Sequence, residues 1–374
     1  MIFVHKPTKV NIMTDREQQI IDAIHADPLI SQQQLADLIG ISRSAVASHI
    51  TNLTAKGIIE GRGYLIAPEK FCVAIGGANM DILGKPEQSI SAGTSNPGTV
   101  SNSPGGVARN IAENIARLGD KCYLIAAVGD DNSGKQLIEL SRSAGVDTSQ
   151  MITITGQSTS TYLSIVDAAG EMQLAIADMT IIDQLQPALL KKQLSLLKQA
   201  QVIVLDTNIS IELMSFLFEN LPDTDFFVDT VSVVKSIKIK DFLHSVHSLK
   251  PNLLEAQALS GIKVADHSQL PKVANWFHQQ GVKRLFISLG KQGLFYSDGR
   301  LQQLVSLQAS DVQNSNGAGD AMTAALVHCH LAATPALKSC YFALAAANCA
   351  IATQATINPE LSIANISKLL SNCD

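Results

Sequence analysis

Three small residues and a carboxylate precede a long apolar segment near the end of the chain. The run Asn314-Ser315-Asn316-Gly317-Ala318-Gly319-Asp320 leads into AMTAALVHCHLAA. Small residues let backbone N–H groups approach a phosphate at a helix N-terminus, where the helix dipole also favours negative charge. Asp320 is then placed to accept a proton from a substrate hydroxyl. Taken alone, the string fits an ordinary glycine turn with an Asp cap equally well.

A second glycine motif lies about 200 residues earlier. Pro104-Gly105-Gly106-Val107-Ala108-Arg109-Asn110 runs into the helical pattern IAENIARLG. Gly105 and Gly106 allow backbone to approach a ligand, and Asn110, one helical turn later, can hydrogen-bond a ribose hydroxyl.

A third string, residues 129–135, matches most of the P-loop pattern, but Gln136 stands where Ser or Thr must bind Mg2+. We interpret it as a loop into a helix.

The elements that must position these motifs alternate between strand-like and helical segments. Apolar runs such as FCVAIGG, KCYLIAAVG, QVIVLD, DFFVD and KRLFISLG are separated by helical patterns. This alternation predicts an α/β fold with a mostly parallel sheet wrapped by helices. Residues 88–104 and a hairpin turning at Ala169-Gly170 break the rhythm. We predict that both form antiparallel strands of a small β-sheet lid over a cleft.

The first 66 residues predict a separate small module. Thr14, Ser31 and Ser42 are candidate N-caps of three short helices, with Gly40 in the turn before the third. Leu35, Leu38 and Ile39 form the expected inner face of the second helix. A hairpin over residues 58–66 would supply a wing. The order resembles the winged helix-turn-helix family, and we place this domain at residues 12–66.

The outward face of the third helix indicates DNA as a partner of this module. The candidate contact residues are Arg43, Ser44, Ser48, His49 and Asn52, with Arg62 at the wing tip. Such side chains can reach base edges and phosphates in a major groove. Residues 1–66 carry six Lys or Arg and six Asp or Glu, so bulk charge does not attract DNA. A protein–protein module is the alternative.

The two glycine motifs together resemble the signatures of the ribokinase-like (PfkB) carbohydrate and nucleoside kinases. The resemblance implies a three-layer α/β/α kinase domain with a β lid at residues 70–374, using ATP and Mg2+. It assigns catalysis to the Gly317–Gly319 anion hole and to Asp320 as base. It also assigns sugar hydroxyl contacts to Asn79 and Asp81 in GGANMDILG, together with Gly105, Gly106 and Asn110.

The resemblance extends to the nucleotide side of the predicted site. Asn252 and Glu255 match a family NxxE motif that orders Mg2+ and the phosphates, usually through water. Ser288, Gly290 and Gly293 match its nucleotide turn, and Asn348 matches a position beside the adenine. Asn314 replaces the usual Asp that helps to hold a monovalent cation. The amide lacks the charge, which leaves activation by K+ open.

Several segments resemble bacterial pseudouridine kinases within this family, from about Phe71 to the C-terminus. TSNPGTVSNSPGGVARNIAENIARLG, GEMQLAIADM and LKPNLLEAQALSGI are examples. The resemblance implies phosphorylation of the 5′-hydroxyl of pseudouridine. Two alternatives remain. One is a kinase for ribose, inosine or adenosine, and the other is a transcriptional regulator whose kinase-like domain only senses a ligand.

Composition gives the expected location and assembly. The chain is 46% hydrophobic and 16% charged with a net charge of −5, which is typical of a globular protein. We find neither a signal peptide nor an apolar run of transmembrane length, and the six cysteines lack a disulfide spacing. These features predict a cytoplasmic protein without membrane contact. Because one module offers few DNA contacts, we expect a homodimer.

Overall fold

The chain folds as two compact units, Met1–Glu69 and Lys70–Asp374. The computed structural model describes residues 13–59, 70–167, 170–308, 313–314 and 316–371. Among the helices in these ranges, none combines the length and apolar character needed to span a membrane.

Three helices form the described part of the N-terminal unit: α1 (Asp15–Ala26), α2 (Gln32–Ile39) and α3 (Arg43–Ala55). Thr14 and Ser31 each cap a helix in a reciprocal capping box, and Ser42 caps α3. Gly40 ends α2 in the left-handed conformation, as predicted for the turn. Their shared core contains Ile20, Ile24, Leu35, Val46 and Leu53, all fully buried.

The inner face of α2 differs from the expectation at one residue. Leu38 is 68% exposed, whereas Ala36 is buried beside Leu35. The helix is only eight residues long, so its core face is set by Leu35, Ala36 and the partly buried Ile39. Leu38 therefore points to solvent. The predicted wing beyond Ile59, with Arg62, lies outside the described residues.

The second unit alternates strands and helices along the chain, as predicted. Its strands are β1 (Phe71–Ile75), β2 (Asn79–Pro86), β3 (Gly98–Gly105), β4 (Lys121–Ile125), β5 (Ala127–Gly129), β6 (Ile152–Ile154), β7 (Thr161–Val166), β8 (Met172–Asp178), β9 (Val202–Asp206), β10 (Asp225–Asp229), β11 (Ser248–Lys250), β12 (Arg284–Ser288), β13 (Leu294–Ser297) and β14 (Gln302–Val305). Its helices are α4 (Val107–Arg117), α5 (Asn132–Ser143), α6 (Pro187–Leu190), α7 (Leu194–Leu197), α8 (Ile211–Asn220), α9 (Val233–Ser236), α10 (Leu253–Ser260), α11 (Leu270–Gln279), α12 (Ala318–Leu331), α13 (Ala336–Ile351) and α14 (Ile363–Ser371).

The main sheet has eight strands in the order β14-β13-β12-β11-β10-β9-β1-β4. The six strands from β12 to β4 are parallel, and β13 and β14 continue the sheet antiparallel at one edge. The predicted strand KCYLIAAVG divides into β4 and β5, because β5 pairs with β6 in a separate two-stranded sheet. The carboxyl ends of β11 and β12 carry the NxxE motif and the nucleotide turn, as expected for open α/β sheets, whereas the two glycine motifs follow β3 and β14.

Helices cover both faces of the sheet, which gives the three-layer architecture. Alternate residues of β1 show the division. Cys72 and Ala74 pack in one apolar cluster with α4, α12 and α13. Phe71, Val73 and Ile75 pack in the other with α8, α10 and α11. Both faces of the strand are therefore buried, as its continuous apolar run requires.

A four-stranded lid sheet lies apart from the main sheet, in the order β3-β2-β7-β8. The pairs β2–β3 and β7–β8 are antiparallel, as predicted, but the central pair β2–β7 is parallel. Both segments predicted to form antiparallel strands therefore do so, in β3 and in the β7–β8 hairpin. β2 and β7 are separated by α4, β4 and α5, and such a long connection brings the chain back in the same direction. β2, not anticipated as a strand, contains both Asn79 and Asp81.

Candidate active site

The N-termini of α4 and α12 meet at the centre of the site. Gly317 is the N-cap of α12 with φ of 78°, and a Cβ there would overlap the carbonyl oxygen of Thr356. Asp320 lies in the first turn of α12. Asn110 lies in the first turn of α4, and its Nδ2 donates a 2.9 Å hydrogen bond to Asp320 Oδ2. Asn110 and Asp320 are 210 positions apart in the chain, so this hydrogen bond brings the two glycine motifs into direct contact.

The glycines of the first motif allow close packing within the protein. Gly106 has φ of 100°, and a Cβ on it would overlap the backbone of Gly77 and Ala78. A Cβ on Gly105 would overlap the carboxylate of Asp81. The sequence predicts that both glycines allow the approach of a ligand. Gly106 does line the cleft described below, but the close approaches that exclude a side chain are to the β1–β2 turn and to Asp81.

A buried carboxylate, Asp206, holds this turn in place. Its Oδ2 accepts hydrogen bonds from the backbone N–H groups of Gly77 and Ala108, at 2.8 and 2.9 Å. Its Oδ1 accepts a third from the N–H of Asn208. Burial raises the pKa of Asp206 although these donors favour its charged form. Asp206 thereby connects the β1–β2 turn, the start of α4 and the loop after β9.

Two further buried ionic groups lie beside Asp320. Lys250 Nζ lies 3.1 Å from Asp229 Oδ2, and both side chains are over 90% buried. Thr323, one turn after Asp320 on α12, donates a 3.0 Å hydrogen bond to the same Asp229 oxygen. A Cβ on Gly319 would lie 3.2 Å from Lys250 Nζ, so the lysine approaches the anion-hole loop directly.

The groups around Asp320 raise the pKa of its carboxyl group towards neutral pH. Burial and the neighbouring charge of Asp229 raise the pKa of Asp320 to about 7, although Asn110 and Lys250 act in the opposite direction. Burial alone would lower the pKa of Lys250, but Asp229 holds it above its usual value. A carboxylate with a pKa near the working pH is suited to general-base catalysis.

A cleft of about 460 Å3 opens on the substrate side of Asn110. Its lining includes four of the five predicted sugar contacts, all but Gly105, together with residues from other segments: Gly77, Asn79, Asp81, Gly106, Val107, Asn110, Tyr162, Met179, Ile182, Asn208, Val231, Lys235 and Asn316. Asn79 Nδ2 donates a hydrogen bond to Asp81 Oδ1. Burial raises the pKa of Asp81, while Asn79 and Arg109 favour its charged form. These groups give the cleft both donors and acceptors for hydroxyl groups.

A second cleft, of about 270 Å3, lies on the other side of the α12 N-terminus. It is lined by Ser288, Gly290, Lys291, Gly293, Leu307, Ala318, Gly319, Met322, Leu344, Ala347, Asn348 and Ile351. All four residues predicted from the nucleotide turn and the adenine position are among them. Asn348 Nδ2 donates to the carbonyl of Gln308 at 2.9 Å. The apolar residues of this second cleft suit a flat aromatic base, and its small residues suit the phosphates that follow the base.

Asn252 and Glu255 form the capping box at the start of α10. Asn252 accepts from the Glu255 N–H, while its own N–H and Nδ2 donate to the Glu255 carboxylate. Thr230 Oγ1 donates to the same carboxylate at 2.6 Å. Glu255 is therefore fixed by protein donors, and Oε1 retains capacity for a further hydrogen bond. This arrangement suits contact with a metal through water better than direct coordination.

The structure places Asn314 at the edge of the anion-hole loop. Its Oδ1 accepts from the Asn316 N–H, and its Nδ2 donates to the carbonyl of Gln354, each at 2.9 Å. Asn314 thus connects its own loop to the segment after α13. The amide oxygen of Asn314, which replaces the carboxylate of the usual Asp, is engaged in a turn within the loop.

The candidate DNA-contact face of α3 is presented to solvent. Arg43, Ser44, Ser48 and Asn52 are exposed, and His49 is partly exposed. Lys56, which follows α3, forms a 2.8 Å ion pair with the buried Glu17 of α1, so its charge is compensated within the module. Lys56 is the main cause of the lowered pKa of Glu17.

The rejected P-loop string is part of the structural framework. Asp131 caps α5, accepting from the Gly134 N–H at 2.8 Å and from Thr159 Oγ1 at 2.6 Å. The string is therefore the loop into a helix that the sequence predicted.

Comparison with known proteins decides the family. Residues 69–363 match the pfkB family of carbohydrate kinases. The chain belongs to this family. Residues 13–60 of this pfkB kinase match the winged helix-turn-helix DNA-binding family, which agrees with the three described N-terminal helices.

Two relatives from Escherichia coli K12 are similar to most of this pfkB kinase. The uncharacterized sugar kinase YeiI is 39% identical over 359 residues, covering 96% of this chain and 99% of its own. A pseudouridine kinase is 40% identical over 306 residues, covering 81% of this chain and 97% of its own. The fold matches Arabidopsis thaliana ribokinase complexed with ribose and ATP, with a TM-score of 0.72 and 22% identity, over 80% of this chain and 98% of that one.

Sequence reasoning missed several polar residues of the kinase site. Asp206, Asp229 and Lys250 were not singled out, although each ends a buried strand at the carboxyl edge of the sheet. That position was the available signal, since ligands of open α/β sheets bind there. Lys235 and Asn208 were also missed. Lys235 in the short helix α9 donates a hydrogen bond to Asn208 in the loop after β9, and neither segment carries a recognisable motif.

Proposed function

We propose that the chain is an ATP-dependent kinase that phosphorylates the 5′-hydroxyl of pseudouridine. The Asn110–Asp320 hydrogen bond carries the proposal for the reaction, because it places a carboxylate with a pKa near 7 between two clefts. The 40% identity to a pseudouridine kinase, over nearly the whole of that relative, supports the substrate.

In this proposal each group of residues has a different role. Asn79, Asp81 and Asn110 orient the ribose so that its 5′-hydroxyl faces Asp320, which accepts the proton as the new O–P bond forms. The N–H groups of Gly317–Gly319 hydrogen-bond the transferring phosphoryl group at the positive end of α12. Phosphoryl transfer depends mainly on such positioning and electrostatic stabilisation.

The residues present fit Mg2+ and ATP. Gly317 and Gly319 leave backbone N–H groups accessible, and the second cleft has an apolar wall beside Asn348. Glu255 has the remaining acceptor capacity to hold Mg2+ through water. When bound, Mg2+ neutralises charge on the phosphate oxygens. Lys250 adds a fixed positive charge at the same loop.

We predict that pseudouridine gives a higher kcat/KM than uridine, ribose, inosine or adenosine. The proposed ribose contacts account for only part of the lining of the 460 Å3 cleft, here called the substrate cleft, and we assign the base to other lining residues such as Tyr162, Met179 and Lys235. The measurement is a coupled assay of ADP release with each acceptor at fixed Mg2+ and ATP. A competitor used more efficiently would contradict the substrate while leaving the family intact.

A pair of lysines provides the control for this comparison. Lys235→Met alters the substrate cleft, and Lys291→Met alters the nucleotide cleft. The first substitution should reduce the preference for pseudouridine over ribose. The second should change the rates with both acceptors by the same factor, because it affects only the shared nucleotide.

We also predict a weaker K+ dependence than ribokinase-like enzymes commonly show. Asn314 supplies no negative charge, and its amide oxygen already accepts from Asn316 N–H. The rate should be measured against K+ at constant ionic strength. Asn314→Asp should increase the dependence. A strong K+ requirement in the unmodified enzyme would refute the idea.

For the N-terminal unit we propose binding to DNA as a homodimer, near genes of pseudouridine catabolism, with nucleoside or its phosphorylated product as effector. With Lys56 paired to Glu17, only Arg43 and Arg62 remain against Glu60, an excess of one positive charge between Ile41 and Tyr64. So few phosphate contacts predict weak binding by one module, and two modules on a palindromic site would be required.

Gel shift and footprinting over the upstream region test this prediction. We expect specific binding that Arg43→Ala weakens, whereas Arg16→Ala on α1 should retain it. If the protein shows no preference over random DNA, with and without pseudouridine, the module is better interpreted as a protein–protein contact.

A further inference from the structure

Asp225, His247 and His330 form a cluster at the edge of the main sheet opposite the active site. Asp225 is the first residue of β10, whose last residue is Asp229 beside the catalytic centre. His330 lies ten residues after Asp320 on α12, roughly 15 Å along the helix axis. His247 directly precedes β11. Neither histidine nor Asp225 contributes to the two clefts described above.

The three side chains converge on one point. His330 Nε2 lies 3.0 Å from Asp225 Oδ2, and His247 Nε2 lies 3.9 Å from Asp225 Oδ1. One ligand atom from each residue lies within 4.8 Å of the other two. In the part of the chain that the structure describes, no other three residues of the His, Cys, Asp or Glu types meet this way. Ligand atoms around a tetrahedral zinc ion lie roughly 3.3 Å apart, since each bond is about 2.0 Å long.

The surroundings favour a ligand function for His247. Its Nδ1 is 2.9 Å from the Oγ of the buried Ser248, which leaves Nε2 directed at the cluster. A hydrogen bond at the other ring nitrogen is the usual orienting contact of a metal-bound histidine. Phe227 stacks against the His247 ring with centroids 5.7 Å apart and fixes its plane.

A simple hydrogen-bonded pair explains only part of this arrangement. The same helix α12 carries such a pair, because His328 Nδ1 lies 2.6 Å from Asp120 Oδ2 without a third ligand. A hydrogen bond between Asp225 and His330 would require only these two residues. The additional His247, 3.9 Å from the carboxylate, is too distant for a hydrogen bond but well placed for a shared ion.

We propose that Asp225, His247 and His330 bind a Zn2+ ion or a similar first-row divalent metal. Imidazole and carboxylate ligands suit zinc, and three protein ligands leave a fourth position for water. The side chains of Asp225, His247 and His330 are 34, 15 and 22% exposed, so an ion and a water can enter from solvent. The bound ion joins β10, the β11 entry and the C-terminal end of α12.

Zinc titration of the metal-stripped full chain, followed by competition with a chromophoric chelator, tests the proposal. We expect one tight site, unaffected by excess Mg2+, which prefers oxygen ligands in octahedral geometry. Loss of an orienting contact costs metal affinity roughly 10- to 100-fold. Ser248→Ala should therefore weaken binding by about tenfold, and His247→Ala by about 100-fold or more.

His328→Ala is the matched control, since it removes a histidine of α12 without touching the cluster. It should retain the wild-type zinc affinity. Zinc should also raise the thermal midpoint of the wild type and of His328→Ala, but not that of His247→Ala. His247→Gln replaces His247→Ala if the latter does not fold in the absence of metal.

Two results would overturn the proposal. One is a wild type that binds zinc no more tightly than the His247 variant. The other is an equal loss of affinity in His328→Ala. Neither measurement involves nucleotide or acceptor, so the outcome is independent of the proposed kinase substrate.

Discussion

Asp320→Asn should reduce turnover by about 100- to 10,000-fold, the range for loss of a general base. The amide keeps the shape of the carboxylate, and its oxygen can still accept the hydrogen bond from Asn110 Nδ2. It cannot take a proton from the acceptor hydroxyl. Substrate binding should therefore be largely retained while kcat falls. Steady-state kinetics together with calorimetric binding of the nucleoside separate the two effects.

The pH dependence supplies a second readout of the same variant. The raised pKa of about 7 means that Asp320 is protonated, and inactive as a base, below neutral pH. The wild-type kcat/KM should rise as pH passes through about 7 and then level off, and the residual activity of Asp320→Asn should lack this step. Asp266→Asn, at an exposed helix cap, is the control. Near-normal turnover in Asp320→Asn would exclude it as the base.

Lys250→Met should lower the free energy of unfolding by about 3–5 kcal/mol, because removal of one partner leaves a buried charge uncompensated. Asp229 would keep its hydrogen bonds from Thr323 and the Val231 N–H but would lose the 3.1 Å ion pair. Urea unfolding measures the loss. Lys263→Met, at an exposed lysine, should leave stability nearly unchanged.

Lys250→Met should also shift the pH dependence of kcat/KM. Lys250 favours the charged form of Asp320, whereas Asp229 opposes it. Without the lysine, the pKa of Asp320 rises further, so the rise in kcat/KM should occur at higher pH than in the wild type. A stable Lys250→Met enzyme with an unshifted profile would show that this lysine does not control the base.

The sequence was most informative where a residue's neighbours in the chain determine its role. Caps such as Thr14, Ser31 and Ser42 and the turn at Gly40 depend on three or four adjacent residues, and the structure has them as predicted. The strands of the main sheet were recognisable because both faces are buried, so their apolar runs are continuous.

Features that depend on distant segments were not predicted. The parallel β2–β7 pair joins positions about 80 residues apart, and alternation of apolar residues carries no information on strand direction. Asp229 and Lys250 become important only through each other and through Asp320. The pairing of Lys56 with Glu17 likewise brings together α1 and the end of α3, across 39 positions.

The two clefts draw on different stretches of the chain, and this has an evolutionary consequence. Apart from Asn316, every residue lining the substrate cleft lies between positions 77 and 235, and every residue lining the nucleotide cleft lies between 288 and 351. Mutations between positions 77 and 235 can therefore alter the lining of the substrate cleft while leaving that of the nucleotide cleft unchanged. A gene of this kind can diverge, or recombine, so that the protein uses a new acceptor. The segment from 288 to 351 that lines the nucleotide cleft can then be inherited unaltered.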